Sequence, residues 1–175
     1  MHDTKVKQSG ENERHTLTVL VDNEAGVLAR VVGLFSGRGY NIESLTVAEV
    51  DPMARTSRIT IVTSGTQHVI EQIETQLRRL VPTHGVTNWT SAKAGIEREM
   101  ALIKVAGTGE KRVEALRMAD AFRARPVDTT HASFVFEITG KSDKIEQFIE
   151  LMLPLGLVEV SRTGIAAIRR GPETM

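Results

Sequence analysis

The same succession of runs occurs twice along the chain: a short alternating run, a helical run, two more alternating runs, a helical run and an alternating run. Few folds accept that order. In the first pass, residues 16–21 alternate, with Leu17, Val19 and Val21 on one face. Asp22, Asn23, Glu24, Ala25 and Gly26 are turn and helix-cap chemistry. Val27, Leu28, Val31, Val32 and Phe35 then recur at helical spacing, and Gly37-Arg38-Gly39 supplies a stop. Residues 42–50 and 57–63 read as strands around the Asp51-Pro52 turn. A helix from about Thr66 puts Val69, Ile73, Leu77 and Leu80 on one stripe, Pro82 ends it, and residues 86–89 form a last strand. The order βαββαβ is the split βαβ, or ferredoxin-like, unit.

The second pass opens with a strand over 100–106 and a helix from Glu110 to Phe122. Strands follow over 125–128 and 133–139, Phe134 and Phe136 being candidates for the core. Ser142 is placed to cap a helix carrying Ile145, Phe148, Ile149 and Met152, and strands over 157–160 and 164–168 complete the half with one strand to spare. The order repeats and the residues do not. The expected class is α+β, two ferredoxin-like βαββαβ domains over 14–91 and 97–175. Residues 1–13 read as a disordered leader and residues 92–96 as a linker. Units of this size bury little surface alone, and a sheet with helices on one face leaves the other face and its edges open. Leu20 and Leu45 fall where a second copy would cover them.

Composition narrows the function. Lys plus Arg equals Asp plus Glu, 22 of each, so the basic excess that phosphate backbones require is missing and no nucleic-acid partner is expected. No cysteine is present, which removes disulfides, thiolate catalysis and cysteine metal sites. The start is polar, without the apolar core of a signal peptide, and no run approaches the roughly 18 apolar residues of a membrane span, so a cytoplasmic chain off the membrane is expected. No P-loop or H-E-x-x-H motif occurs, and the five histidines are dispersed. Gly107-Thr108-Gly109 lacks the third glycine of a dinucleotide loop and reads as a turn. Asp22 and Glu24 read as helix-capping carboxylates rather than an acid–base pair. No catalytic residue and no metal site is expected.

One constellation points to a ligand. Residues 21–28, Val-Asp-Asn-Glu-Ala-Gly-Val-Leu, form a strand-to-helix turn, and the amides at such a helix start receive a carboxylate readily. Gly26 allows close approach, Asn23 and Asn41 each offer donor and acceptor to a zwitterion, and Val27 with Ile42 offers an apolar wall. The same residues also suit a plain reading, with Asn23 as a cap, Gly26 as a first-turn glycine and Asn41 as a turn residue.

The string Val-Leu-Val-Asp-Asn-Glu-Ala-Gly-Val-Leu-Ala-Arg-Val over 19–31 resembles the N-terminal ACT domain of acetolactate (acetohydroxyacid) synthase small subunits. Residues 33–36 and Arg-Gly-Tyr-Asn-Ile-Glu-Ser-Leu over 38–45 share the likeness. It continues through residues 58–61, 71–77, 97–105 and 159–164, and is weakest over 83–95 around Trp89. The resemblance implies a non-catalytic regulatory subunit. Its partner would be a large subunit using thiamine diphosphate, Mg2+ and FAD, with no cofactor in this chain. It also implies a homodimer through ACT edge strands, with valine, or leucine or isoleucine, at the interface. By position, Asn23, Glu24, Ala25, Gly26 and Val27 would cup the effector in one copy, and Asn41 and Ile42 would come from its neighbour.

Overall fold

A computed structural model describes residues 11–92 and 95–175; most of the expected leader and the middle of the expected linker lie outside them. Among the described residues the chain separates into two compact units at Ile96/Glu97, and residues 167–175 group with the first.

In the first unit, β1 (Glu13–Asp22) is followed by α1 (Val27–Gly37), β2 (Ser44–Asp51), β3 (Thr56–Gly65), α2 (Gln67–Arg79) and β4 (Thr83–Asn88). The sheet order is β2-β3-β1-β4, so β1 is interior and β2 lies at an edge. All pairings are antiparallel. Alternation along β1 buries Leu17, Val19 and Val21. They meet Val27, Val31 and Phe35, spaced by four along α1, and Ile70, Ile73 and Leu77 of α2. Each such side chain contributes about 1.5–3 kcal/mol on leaving water. Helix α1 ends where Gly39, at φ 69, turns left-handed and the Tyr40 amide donates back to the Phe35 carbonyl. Helix α2 is capped by Thr66, whose Oγ1 accepts from the Val69 amide at 3.4 Å.

Several expectations are corrected here. The α2 stripe is carried by Ile70 together with the expected Ile73 and Leu77, while Val69 and Leu80 are only partly buried at its margin. Trp89 does not end β4 but opens a short helix, α3 (Trp89–Ala92), and donates from Nε1 to Thr18 Oγ1 at 2.7 Å. The far face of the sheet is therefore not open throughout: Thr16, Thr18 and Thr60 are buried there. Leu45 packs against the helix-side core, while Leu20 is half-buried. The strand β5 (Gly95–Ala106) starts five residues before Met100, where sequence placed it, so residues 95 and 96 of the expected linker are strand and Ala92 is helix.

The second unit continues from β5 into α4 (Gly109–Phe122), β6 (Arg125–Thr129), β7 (Ser133–Gly140), α5 (Ser142–Gly156) and β8 (Leu157–Arg162); β9 (Ala166–Arg169) follows, its residues from 167 on grouped with the first unit. Its sheet runs β6-β7-β5-β8, with the spare strand β9 also paired to β5. Ala101, Ile103, Val105, Phe134, Phe136 and Ile138 face Ala115, Ala119, Ile145, Phe148 and Met152 across one core. Ser142 is not the cap of α5. Lys141 holds that position, and Ser142 Oγ donates to Glu99 instead. Glu99 is buried and receives both Nε and Nη2 of Arg162 at 2.7 Å, a two-point pair that holds the guanidinium's proton more firmly than usual.

Candidate functional site

The sequence β1–turn–α1 builds an amide-rich bend. Strand β1 ends at Asp22, and the chain then crosses residues 23–26, all exposed, before Val27 dives into the core. Gly26 is the N-cap of α1 at φ 86, ψ −8, with no side-chain cap. Neither Asp22 nor Glu24 caps the helix. Asp22 turns to His84 instead, and only the Glu24 carbonyl takes part, receiving the Val27 amide at 3.4 Å. The first helical bond is from the Arg30 amide to the Gly26 carbonyl at 3.0 Å. Among the described residues, the amides of Ala25, Gly26, Leu28 and Ala29 have no acceptor. Donors of this kind, at the positive end of a helix dipole, favour an anion.

Within one chain, glycine at position 26 is required by its backbone conformation. A Cβ there meets nothing within 4 Å in this chain, so packing does not demand glycine; the left-handed φ does.

Asn41 and Ile42 lie at the other end of the sheet. Ser44 pairs with Val62, and Val62 with Thr16. Asp22 and Asp51 both pair with Thr56. From Thr16 to Asp22 the strand advances roughly 20 Å, so one chain does not bring Asn41 and Ile42 to the 23–26 bend. Their segment is itself well held: Thr63 Oγ1 donates to the Asn41 carbonyl at 2.6 Å, and the Glu43 amide donates to the Val62 carbonyl at 2.8 Å. The Glu43 carboxylate takes Arg14 Nε at 2.9 Å and the Ser64 hydroxyl. Asn41 is exposed, and Ile42 is half-buried against the core margin.

Sequence reading missed what fixes the bend. The Asp22 amide donates to the Pro82 carbonyl at 3.2 Å, the Asn23 amide to the Arg55 carbonyl at 2.7 Å, and Arg30 Nη1 to the Val81 carbonyl at 2.9 Å. Residues 55 and 81–84 come close only because β3 and β4 flank β1, a long-range fact that no local pattern encodes.

Two cavities of about 790 and 450 Å3 lie in the second unit and touch none of these residues. The larger, at the start of α4, is lined by Glu110 and Glu114 as well as Lys111 and Arg117. Among the described residues no helix is long and apolar enough to cross a membrane.

Comparison with known proteins covers both units. Residues 17–84 match the model of the AHAS small subunit-like ACT domain, and residues 98–171 match that of the small subunit of acetolactate synthase. The chain is 48% identical over 160 residues to the probable acetolactate synthase small subunit of Archaeoglobus fulgidus, covering 90% of this chain and 98% of that protein. It is 42% identical over 163 residues to the acetolactate synthase isozyme 3 small subunit of Escherichia coli, covering 93% and 99%. Among solved structures, the acetolactate synthase small subunit from Thermotoga maritima superposes with a TM-score of 0.81 at 38% identity, over 92% of this chain and 99% of that one.

Proposed function

The chain belongs to the acetolactate synthase small-subunit family, and from that premise we propose that it stimulates a large catalytic subunit and makes that subunit answer to valine. The observation that carries the reading is the exposed 23–26 bend, with free amides at a helix start beside a left-handed glycine. The amides receive the carboxylate of an amino acid; Val27 contributes its place at the helix start, its side chain being buried in the core. Leucine and isoleucine enter the same place with modest discrimination, since one methylene is worth about 1–3 kcal/mol.

In this reading two copies pair through β2, whose outer edge exposes Val47 and Val50. Antiparallel pairing of two β2 strands sets the start of one beside the end of the other. Asn41 and Ile42 of a neighbour then approach the sheet end that carries the 23–26 bend. That arrangement resolves the separation of the two half-sites within one chain and links effector binding to dimer geometry. The chemistry belongs to the large subunit with its thiamine diphosphate, Mg2+ and FAD, and the pair works in the cytoplasm.

Mixing the chain with a large subunit and following pyruvate consumption tests the proposal. Stimulation that valine reverses is expected. A rate that the chain leaves unchanged overturns it.

A further inference from the structure

Asp22 is the hinge between β1 and the bend, and its side chain is held by a residue that sequence gave no reason to single out. Opposite β1, Leu20 pairs with Gly85 and Val21 with Thr83, so His84 is the extra residue of a β-bulge in β4. A bulge breaks the up-down alternation and re-aims one side chain. Here His84 Nε2 reaches Asp22 Oδ1 at 2.5 Å.

We propose that the bulge makes His84 a positioning residue for the 23–26 bend: by donating to Asp22 it sets the direction in which the chain leaves β1, and so the aim of the free amides. The inference rests on the effector reading above. The fold itself does not need this contact, because the Asp22 backbone is already paired to Thr56 and bonded to Pro82. What is left to settle is the orientation of a short exposed turn. His84 does this together with the Arg55 carbonyl on the Asn23 amide, a bond from the turn that leads into β3, the opposite flanking strand. A second bulge between Glu49 and Asp51 leaves Val50 as the extra residue at the same end of the sheet, so the two edge strands, β2 and β4, both bend there. The pair is partly exposed, 51% for His84 and 35% for Asp22, which bounds its strength to that of a solvated charge-assisted bond.

The test uses the full chain and two readouts. In calorimetric titration with valine, His84→Ala weakens binding about fivefold, the range open to an exposed ion-assisted bond, while the thermal midpoint stays at the wild-type value. His84→Gln, whose amide can still donate to Asp22, restores most of the affinity. Without effector, amide hydrogen exchange at Asn23 and Glu24, the two amides of the bend that have acceptors, speeds up in His84→Ala and not in His84→Gln. Wild-type affinity and wild-type exchange in His84→Ala overturn the inference. If the wild-type chain itself binds no branched amino acid, the effector reading fails; the exchange experiment still decides whether His84 holds the bend.

Discussion

Gly26 concentrates the account in one residue. Its φ of 86 costs an L side chain about 1 kcal/mol, and a Cβ there meets no neighbour, so a substitution at this position folds. Gly26→Asp then sets a carboxylate among the amides proposed to receive the effector's own. Valine binding is expected to fall by roughly 100-fold, since like charges placed together cost several kcal/mol. Stimulation of the large subunit is expected to persist. Calorimetry with valine and a stimulation assay on the same protein read both; undiminished valine affinity in Gly26→Asp contradicts the assignment. Asn23 and Glu24 carry less of this argument, because their side chains are exposed and cap nothing.

At the level of elements, local pattern was a good guide wherever one face of an element meets one core. Leu17, Val19 and Val21 alternate, and Ile145, Phe148 and Met152 recur at helical spacing; all six are buried. The pattern failed where a polar side chain had a distant partner. Ser142 looks like a cap from its neighbours, but Glu99, on β5, takes its hydroxyl. Asp22 looks like a cap as well, but His84 claims it from β4. Trp89 was lost to the strand expectation because its anchor, Thr18, lies on the first strand. The candidate site was half legible for the same reason. The bend is local and readable, whereas its braces and its separation from Asn41 and Ile42 depend on sheet order.

The second sheet gives a test in pH. Lys104 Nζ donates to Glu159 Oε2 at 2.7 Å across β5 and β8. That hydrogen bond first, and charge attraction second, hold Glu159 below the ordinary glutamate range and raise Lys104 above the ordinary lysine value. The pair therefore supports the fold above the unfolded glutamate value, and that support fades as pH falls through the lowered folded value. At the alkaline end it is intact below the ordinary lysine value and fades as pH rises through the raised one. A carboxyl-detected NMR titration is expected to give Glu159 a low midpoint, moving up in Lys104→Met. An unmoved midpoint removes Lys104 as the cause.

For the whole molecule, the decisive property is that the 23–26 bend and the Asn41–Ile42 segment, the two halves of the proposed site, lie at opposite ends of a sheet whose β2 is an edge strand. In the proposed reading such a chain senses nothing alone, and two copies complete two sites, each from one bend and one neighbouring Asn41 and Ile42. The direct measurement is complementation between two variants, Gly26→Asp and Asn41→Ala, each of which alone is expected to bind valine poorly. Mixed in equal amounts and allowed to exchange chains, they form mixed dimers in which one site carries both lesions and the other carries neither. Calorimetry is then expected to recover wild-type affinity at about one quarter of the sites, the share that random pairing of two-fold dimers provides. No recovery after verified exchange, with each variant alone still defective, contradicts a site shared between two chains.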